Sequence, residues 1–179
     1  MNLIIRSRKI SYLLRHDKDY EFDNHGWRKV SNLVDIHGFS LEELCKIVNT
    51  NDKRRFEFSD NMEFIRARQG HSIDVDVELA TVIPPDELYH GTSINCIEKI
   101  LEEGLLSQRR IHVHLSTSIN DAMNIGKRHG EPIVLKINSK QMYANGFEFY
   151  LSKNGVWLTN LVPSKYIEVI ALSQKMGTK

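Results

Sequence analysis

The chain has 179 residues, 41% of them apolar, which is enough for one large domain or two small lobes around a buried core. Its 24 Lys and Arg residues nearly balance 23 Asp and Glu residues, which excludes a general basic field that would attract nucleic acid to the whole surface. The apolar run at the N-terminus is too short for a secretory signal, and no later stretch approaches the length of a membrane span. We therefore expect a globular, cytoplasmic protein without membrane contacts, in which any contact with nucleic acid is local.

The first 80 residues are predicted to form helices followed by a β-hairpin. Residues 7–16 show the spacing of an amphipathic helix, and Ser31 and Ser40 are each placed to cap a further helix, Ser40 as part of a capping box. Residues 55–66 then alternate between apolar and polar on both sides of a turn, as a hairpin does. Helices followed by a hairpin are typical of a winged-helix lobe, which we assign to residues 1–80.

A change of pattern marks residues 81–179 as a second lobe. Pro84-Pro85 lies at its start, where adjacent prolines can join neither a helix nor a central strand. Asn154-Gly155 predicts a two-residue type I′ turn between two strands of this lobe. The lobe lacks an alternating strand–helix–strand repeat, so the sequence predicts the α+β class. The predicted strands lie near residues 88–89, 112–115, 133–137, 147–150, 156–158 and 166–172, and the helices follow Ser93 and Ser118.

The common signatures of nucleotide and metal sites are absent from the sequence. It contains neither the GxxxxGK[ST] pattern of a P-loop nor the GxGxxG pattern of a Rossmann fold, and no GxSxG elbow presents a nucleophilic serine. His112 and His114 share one face of a predicted strand and could bind a metal, but no third ligand follows at a recognisable spacing. We therefore predict no metal site.

Several polar clusters each have an ordinary structural explanation. Arg15-His16 could be a solvated helix end, where cations face the negative pole of the helix dipole. Arg55 could be an ordinary charge at the start of a strand. His71 and His90 each lie beside a glycine, where free backbone N–H groups could bind a phosphate, although single histidines of this kind usually bind backbone atoms. The order of the clusters along the chain is more informative than any one of them.

Seven motifs follow one another from about residue 10 to residue 169. They are SYLLRH at 11–16, NDKRRF at 51–56, QGHS at 69–72, LYHGT at 88–92, HVHLS at 112–116, GKRHG at 126–130 and NGVWLT at 154–159. In this order they resemble the RNA 2′-phosphotransferase family, which is best known from the last step of tRNA splicing in fungi and plants and also occurs in bacteria. Seven motifs in one order are far more specific than any single motif.

The resemblance implies an N-terminal winged-helix lobe that holds the RNA 2′-phosphate and a C-terminal ADP-ribosyltransferase-like lobe that holds NAD, with a cleft between them. It places the family's catalytic group on Arg15, His16, Arg55 and Arg128. Arginine suits this role because its planar guanidinium binds phosphate oxygens in pairs.

The resemblance also implies a set of NAD-binding residues. Gly91 is expected to let the backbone approach NAD closely, so that Gly91→Val should weaken NAD use and leave the fold intact. Many ADP-ribosyltransferases carry a late glutamate where this sequence has Val156, but a phosphate nucleophile is already anionic and needs no carboxylate to take its proton. The implied NAD-binding residues are His71, Ser72, His90, Gly91, Thr92, His114, Leu115, Ser116 and Val156.

The reaction that the resemblance implies has two steps and consumes NAD. The RNA 2′-phosphate attacks the anomeric carbon of the nicotinamide ribose, which releases nicotinamide and forms RNA-2′-phospho-ADP-ribose. The 2″-hydroxyl of this ADP-ribose then attacks phosphorus, which gives RNA with a 2′-hydroxyl and ADP-ribose 1″,2″-cyclic phosphate. We expect a monomer whose partners are NAD and an RNA with an internal 2′-phosphate, from tRNA or another source.

Two other functions remain open at this point. A winged-helix module could bind nucleic-acid phosphates through Arg54 and Arg55 without catalysis, although such a module usually carries a wider basic stripe. An ADP-ribosyltransferase could instead cap free phosphate ends of RNA or DNA by running only the first step. The fate of a 2′-phosphate on RNA, with and without NAD, distinguishes the three functions.

Overall fold

The computed structural model describes residues 2–19, 21–50 and 54–170. These residues form two compact units that both contain helices and sheets, which confirms the predicted α+β class. The first unit runs to Ala80 and also includes residues 109–111 and 152–155. The rest of the described chain forms the second unit. No helix in these ranges is long and apolar enough to cross a membrane.

The first unit combines helices with a three-stranded antiparallel sheet. Its elements are α1 (Leu3–Arg15), β1 (Arg28–Lys29), α2 (Val30–Asp35), α3 (Leu41–Asn49), β2 (Phe56–Phe58) and β3 (Phe64–Ala67). The strand order is β1-β3-β2, and β2 with β3 forms the predicted hairpin. β1 was not predicted from the sequence, because a strand of two residues is too short to show alternation.

Side-chain caps explain where two of the first unit's helices begin. α1 begins four residues earlier than residue 7 because Asn2 caps its first turn. α3 begins after Ser40, whose hydroxyl accepts a hydrogen bond from the backbone N–H of Glu43, as predicted. The predicted cap at Ser31 is wrong, since α2 already begins at Val30 without a side-chain cap.

The second unit is built from small antiparallel sheets and short helices. Its strands are β4 (Leu88–Ser93), β5 (Leu105–Leu106), β6 (Val113–Leu115), β7 (Pro132–Ile137), β8 (Tyr150–Leu151), β9 (Trp157–Thr159), β10 (Leu161–Val162) and β11 (Ile167–Ile170). Its helices are α4 (Ile97–Glu103), α5 (Ile119–Gly126) and α6 (Ser139–Ala144), with 3₁₀ turns at Ile94–Cys96 and Ser164–Tyr166. The strands pair in the orders β11-β7-β4, β6-β9-β8 and β10-β5.

Most predicted elements of the second unit are confirmed. β4, β6 and β7 lie where strands were predicted, and Ser118 caps α5 by accepting a hydrogen bond from the backbone N–H of Asp121. The last predicted strand, at residues 166–172, begins one residue late as β11. Its final two residues, Ala171 and Leu172, lie outside the described part of the chain.

The connection between β8 and β9 differs from the prediction. Leu151 pairs with Trp157, so residues 152–156 connect the two strands. The predicted turn has only two connecting residues. A type I′ turn requires positive φ at both central residues, and Gly155 has φ +79° while Asn154 does not have a positive φ. The predicted type I′ turn is therefore wrong. The N–H of Gly155 instead donates to the carbonyl of Ser152 at 2.8 Å.

Each unit has its own hydrophobic core, and the first core fixes two candidate catalytic positions. Leu14 in α1 and Phe56 in β2 are both fully buried in this core. Arg15 follows Leu14 and Arg55 precedes Phe56, so packing of the apolar neighbours holds the backbone of both arginines. The second core includes buried side chains of Leu88, Leu115, Leu135, Met142, Phe149 and Trp157.

Candidate active site

Arg15 lies at the C-terminal end of α1 with most of its side chain buried. Its Nη1 donates to the hydroxyl of Ser11 at 3.1 Å, and its guanidinium carbon lies 5.7 Å from the centre of the Phe56 ring. The same guanidinium packs beside Gly70, where a Cβ would lie 3.6 Å from its Nε, in van der Waals contact. The guanidinium is thus held in place by packing as well as by a hydrogen bond.

Two of the three guanidinium nitrogens of Arg15, Nε and Nη2, are buried and have no hydrogen-bond partner among the described residues. Burial lowers the pKa of Arg15 to about 10, and the positive charges of Arg55 and Arg110 act in the same direction. The group is still protonated at neutral pH. Buried N–H groups normally have partners, and a buried cation normally has a counter-charge. The arrangement is therefore suited to an anion with several oxygen atoms, such as a phosphate.

His16 lies next to Arg15 and is held by the QGHS segment. Its Nδ1 lies 2.9 Å from the hydroxyl of Ser72. The backbone N–H of Ser72 donates to the carbonyl of Arg15, also at 2.9 Å. Partial burial lowers the pKa of His16 from its ordinary value of 6.5, and the charges of Arg15 and Arg110 lower it further. His16 is therefore neutral at pH 7 and able to accept a proton.

His71 is a buried, neutral histidine beside the same cations. Burial, followed by the charge of Arg15 and then that of Arg28, lowers the pKa of His71 to about 3. Its Nε2 lies near Gly26 and has no hydrogen-bond partner in the described ranges. The structure places His71 and Ser72 in the first unit, with the candidate catalytic residues, whereas the other predicted NAD-binding residues lie in the second unit.

The structure adds Arg110, which the sequence analysis did not single out. The charge of Arg110 lowers the pKa of both Arg15 and His16, and partial burial lowers its own pKa. The neighbouring Ile111 donates its N–H to the carbonyl of His71 at 3.1 Å, which attaches residues 109–111 to the first unit. The only signal in the sequence is that Arg110 stands two residues before the HVHLS motif.

In the second unit, the HGT and HVHLS motifs lie side by side. Tyr89 and Ser116 exchange two backbone hydrogen bonds of 2.8 Å, which join β4 to the end of β6. Nδ1 of His90 lies 2.9 Å from the carbonyl oxygen of His114 and must donate to it, because a carbonyl only accepts. Thr92, farther along β4, is buried. The two motifs thus share one surface of the unit.

The NGVWLT motif lies beside the same surface. Leu115 in β6 pairs with Trp157 in β9, and Val156 immediately precedes this pair. Leu115 is 2% exposed and belongs to the core, so only its backbone atoms are available to a ligand. The structure therefore brings together the predicted NAD-binding residues of the second unit.

Gly91 has a packing role that the sequence analysis did not foresee. A Cβ at Gly91 would lie 1.6 Å from the carbonyl oxygen of Ala122 in α5, far inside van der Waals contact. A Cβ at Gly126 would similarly lie 2.8 Å from the carbonyl oxygen of Thr92. The two glycines let α5 lie directly on β4. The expectation that Gly91→Val leaves the fold intact is therefore wrong.

Arg128 lies just beyond α5 in the second unit. Its side chain is exposed, and its backbone N–H donates to the carbonyl of Ile125 at 3.1 Å. Its catalytic role stays a prediction. In the first unit, Asn51, Asp52 and Lys53 of the NDKRRF motif lie outside the described residues. Across residues 2–19, 21–50 and 54–170, no three His, Cys, Asp or Glu side chains form a cluster that could hold a metal ion.

Comparisons with known proteins point to one family. The profile described as "RNA 2′-phosphotransferase, Tpt1 / KptA family" matches residues 2–161. A probable RNA 2′-phosphotransferase of Acaryochloris marina is 44% identical over 168 residues, which cover 89% of this chain and 93% of the relative. A protein of the same description from Hahella chejuensis is 42% identical, and the match covers 94% of this chain and 95% of the relative. Another from Fusobacterium nucleatum is 43% identical, and the match covers 90% of this chain and 95% of the relative.

Proposed function

The chain belongs to the RNA 2′-phosphotransferase family and is an RNA 2′-phosphotransferase, and on this premise we propose that it consumes NAD to remove an internal 2′-phosphate from RNA. The observation that carries the proposal is the buried guanidinium of Arg15, two nitrogens of which have no partner in the described structure. In this proposal the first unit acts as a winged-helix-like lobe that holds the 2′-phosphate. The second unit acts as an ADP-ribosyltransferase-like lobe that holds NAD.

The 2′-phosphate binds the cationic group of the first unit. Burial, and then the positive charges of Arg55 and Arg110, lower the pKa of Arg15, so its charged form is disfavoured when no anion is bound. A phosphate dianion bound there favours the charged form instead, because the Arg15 guanidinium then gains a negative partner. Binding energy is thereby concentrated on the group that reacts.

The placement of NAD rests on the neighbouring motifs of the second unit. His90, His114 and Ser116 lie together on adjoining strands, and Val156 stands at the edge of the same surface. The sequence has neither a P-loop nor a Rossmann motif, so a pyrophosphate must be bound by another arrangement of backbone N–H groups and polar side chains.

The residues of the first unit fit the demands of both steps. In the first step the phosphate is a ready nucleophile, so the arginines act mainly by orienting it toward the ribose. In the second step negative charge builds on the non-bridging oxygens of phosphorus, which arginine N–H groups stabilise directly. In this proposal His16, whose pKa is lowered by partial burial and by the charges of Arg15 and Arg110, accepts the proton of the attacking 2″-hydroxyl.

Arg110 is proposed as a further cation of the phosphate site. It shares the first unit with Arg15 and His16 and acts electrostatically on both. We expect Arg110→Ala to lower the rate of phosphate removal about a hundredfold, as loss of one donor to a developing oxyanion does. Arg128→Ala, assayed in parallel, tests the role predicted for Arg128 from the resemblance. A rate unchanged in Arg110→Ala would remove Arg110 from the proposal.

The central experiment follows an oligoribonucleotide that carries one internal 2′-phosphate, with and without NAD. We expect NAD-dependent loss of the phosphate, with formation of nicotinamide and ADP-ribose 1″,2″-cyclic phosphate. Loss of phosphate without NAD would contradict the proposal and indicate a simple phosphatase. ADP-ribosylated RNA that retains its phosphate as the only product would favour the capping activity, and binding without turnover would favour a nucleic-acid-binding module.

A further inference from the structure

Ser72 bonds to the Arg15-His16 pair through both its side chain and its backbone. Its hydroxyl lies 2.9 Å from Nδ1 of His16, and its backbone N–H donates to the carbonyl of Arg15 at 2.9 Å. The hydroxyl also lies 3.5 Å from the same carbonyl. Side chain and backbone of Ser72 therefore both hold the end of α1, where the candidate catalytic residues lie.

The hydrogen bond between Ser72 and His16 links the tautomer of His16 to the direction in which the Ser72 hydroxyl donates. A serine hydroxyl carries one hydrogen, and the Arg15 carbonyl at 3.5 Å can only accept it. With its hydrogen turned to Arg15, the Ser72 oxygen must accept a hydrogen bond from Nδ1–H of His16. A neutral imidazole that is protonated on Nδ1 carries its lone pair on Nε2.

We propose that Ser72 is a positioning residue that fixes His16 in the Nδ1–H tautomer and so makes Nε2 the atom that takes a proton during phosphate transfer. The proposal assigns Ser72 to His16, in place of the NAD contact that the resemblance implied. It rests on the proposed function for the identity of the proton that Nε2 accepts, but the tautomer itself is independent of that function. A similar hold on the second ring nitrogen orients histidines in other active sites.

The surroundings of His16 favour a neutral ring with a defined orientation. Arg15 on its own helix and Arg110 from residues 109–111 both act on it as positive charges, while the ring of Tyr12 lies 6.1 Å away between centroids. Asp17 is its neighbour in the chain. Since partial burial and then these positive charges lower the pKa of His16, the neutral ring is favoured at pH 7, where tautomer and orientation decide which nitrogen reacts.

The kinetic test compares Ser72→Ala with Ser72→Thr in wild-type and His16→Ala backgrounds. We expect Ser72→Ala to lower kcat roughly tenfold to a hundredfold, in line with the loss of other partners that orient a histidine, and to leave KM for NAD unchanged. Ser72→Thr keeps the hydroxyl, so its kcat should fall much less than that of Ser72→Ala. In the His16→Ala background, Ser72→Ala should have no further effect, because the side chain that it positions is gone.

Three results would overturn the proposal. A rise in KM for NAD with unchanged kcat would assign Ser72 to NAD binding. An equal loss in both backgrounds would show that Ser72 acts through general stability, and an unchanged kcat in Ser72→Ala would show that its hydroxyl is dispensable. Ser59→Ala is a matched control, because Ser59 is another first-unit serine with a hydrogen-bonded hydroxyl, in the β2–β3 turn.

A second measurement needs no reaction at all. Long-range ¹⁵N–¹H spectra of histidine-labelled protein at pH 8 report the tautomer, and the His16 signals are identified by their absence in His16→Asn. We expect Nδ1–H in the wild type and a shift toward Nε2–H in Ser72→Ala. An Nε2–H tautomer in the wild type would overturn the proposal. Failure of the wild type to use NAD would contradict the proposed function and leave this spectrum unaffected.

Discussion

Replacing Arg15 by methionine is expected to stabilise the protein while abolishing phosphate removal. Methionine keeps an unbranched chain as far as the position of Nε but carries neither the charge nor the N–H groups that have no partner in the described structure. A site that binds an anion through a buried, unpaired cation is unfavourable for folding until the anion arrives. Stability and activity should therefore change in opposite directions.

The magnitude follows from the environment of the guanidinium. Burial and neighbouring charges lower the pKa of Arg15 from 12.5 to about 10, which at about 1.4 kcal/mol per tenfold corresponds to roughly 3 kcal/mol against the charged form. The variant loses the hydrogen bond to Ser11, worth about 1 kcal/mol, and the contact with the Phe56 ring, worth about 0.5 kcal/mol. The net expectation is a gain of about 1–2 kcal/mol in the free energy of unfolding.

Thermal and urea unfolding, each with and without inorganic phosphate, measure both halves of the prediction. A gain of this size in the free energy of unfolding raises the midpoint of thermal unfolding by a few degrees in a chain of this length. Phosphate should stabilise the wild type but not Arg15→Met. Arg8→Met is the control, because Arg8 is an exposed arginine of the same helix. This substitution should change neither the free energy of unfolding nor the stabilisation by phosphate. A loss of more than about 1 kcal/mol in Arg15→Met, or equal stabilisation of both proteins by phosphate, would refute the reasoning.

Three further substitutions test packing, charge and chemistry separately. Gly91→Ala should lower the free energy of unfolding in urea by about 3 kcal/mol, because the new Cβ must displace the carbonyl of Ala122. Glu57→Gln should cost about 2 kcal/mol at pH 7, because Arg66 is 4% exposed and loses a charged partner at 2.8 Å. Burial raises the pKa of Glu57, but the hydrogen bonds and charges of Arg66 and Lys153 together lower it more. This stabilisation is therefore present above the ordinary value of 4.5, and urea unfolding should show it disappearing as the pH falls below that value. Arg55→Ala should slow the second step more than the first, so that rapid-quench gels show RNA-2′-phospho-ADP-ribose accumulating.

Each of these substitutions has a control and a result that contradicts it. Gly146→Ala adds a Cβ in open space at a positive φ, so it should cost only about 1 kcal/mol, and an equal cost at Gly91 would contradict the packing argument. Glu42→Gln, in an exposed pair, should be almost neutral. If the deficit of Glu57→Gln persists unchanged at pH 3, its charge is not the cause. If Arg55→Ala slows both steps equally, Arg55 serves binding alone.

The sequence predicted those parts of the fold that neighbouring residues decide. Ser40 and Ser118 cap their helices because a hydroxyl before an apolar-periodic stretch bonds the N–H groups of the first turn, whatever lies elsewhere. The β2–β3 hairpin follows from alternation on both sides of a short polar turn. Motif order supplied the candidate residues at the end of α1, and two buried nitrogens of one of them, Arg15, have no partner among the described residues.

Features that depend on distant parts of the chain could not be predicted in this way. Arg110 follows the last residue of β3 by more than forty positions, and no local periodicity indicates that it joins the first unit. The role of Gly91 depends on the path of α5, about thirty residues later. Asn154-Gly155 predicts the tightest turn that the dipeptide permits, but the pairing of Leu151 with Trp157 fixes a longer connection.

The composition of the first unit has a consequence for how this protein can be cut, permuted or recombined. Residues 109–111 and 152–155 belong to it although they follow Ala80 in the chain. A fragment that ends at Ala80 would lack Arg110, and it would lack Lys153, whose Nζ lies 3.3 Å from a carboxylate oxygen of Glu57. Such a fragment lacks part of the first unit, and a gene fusion that transplants only the first 80 codons would carry the motifs of this unit without Arg110 or Lys153. Both halves of the sequence therefore contribute residues to the first unit.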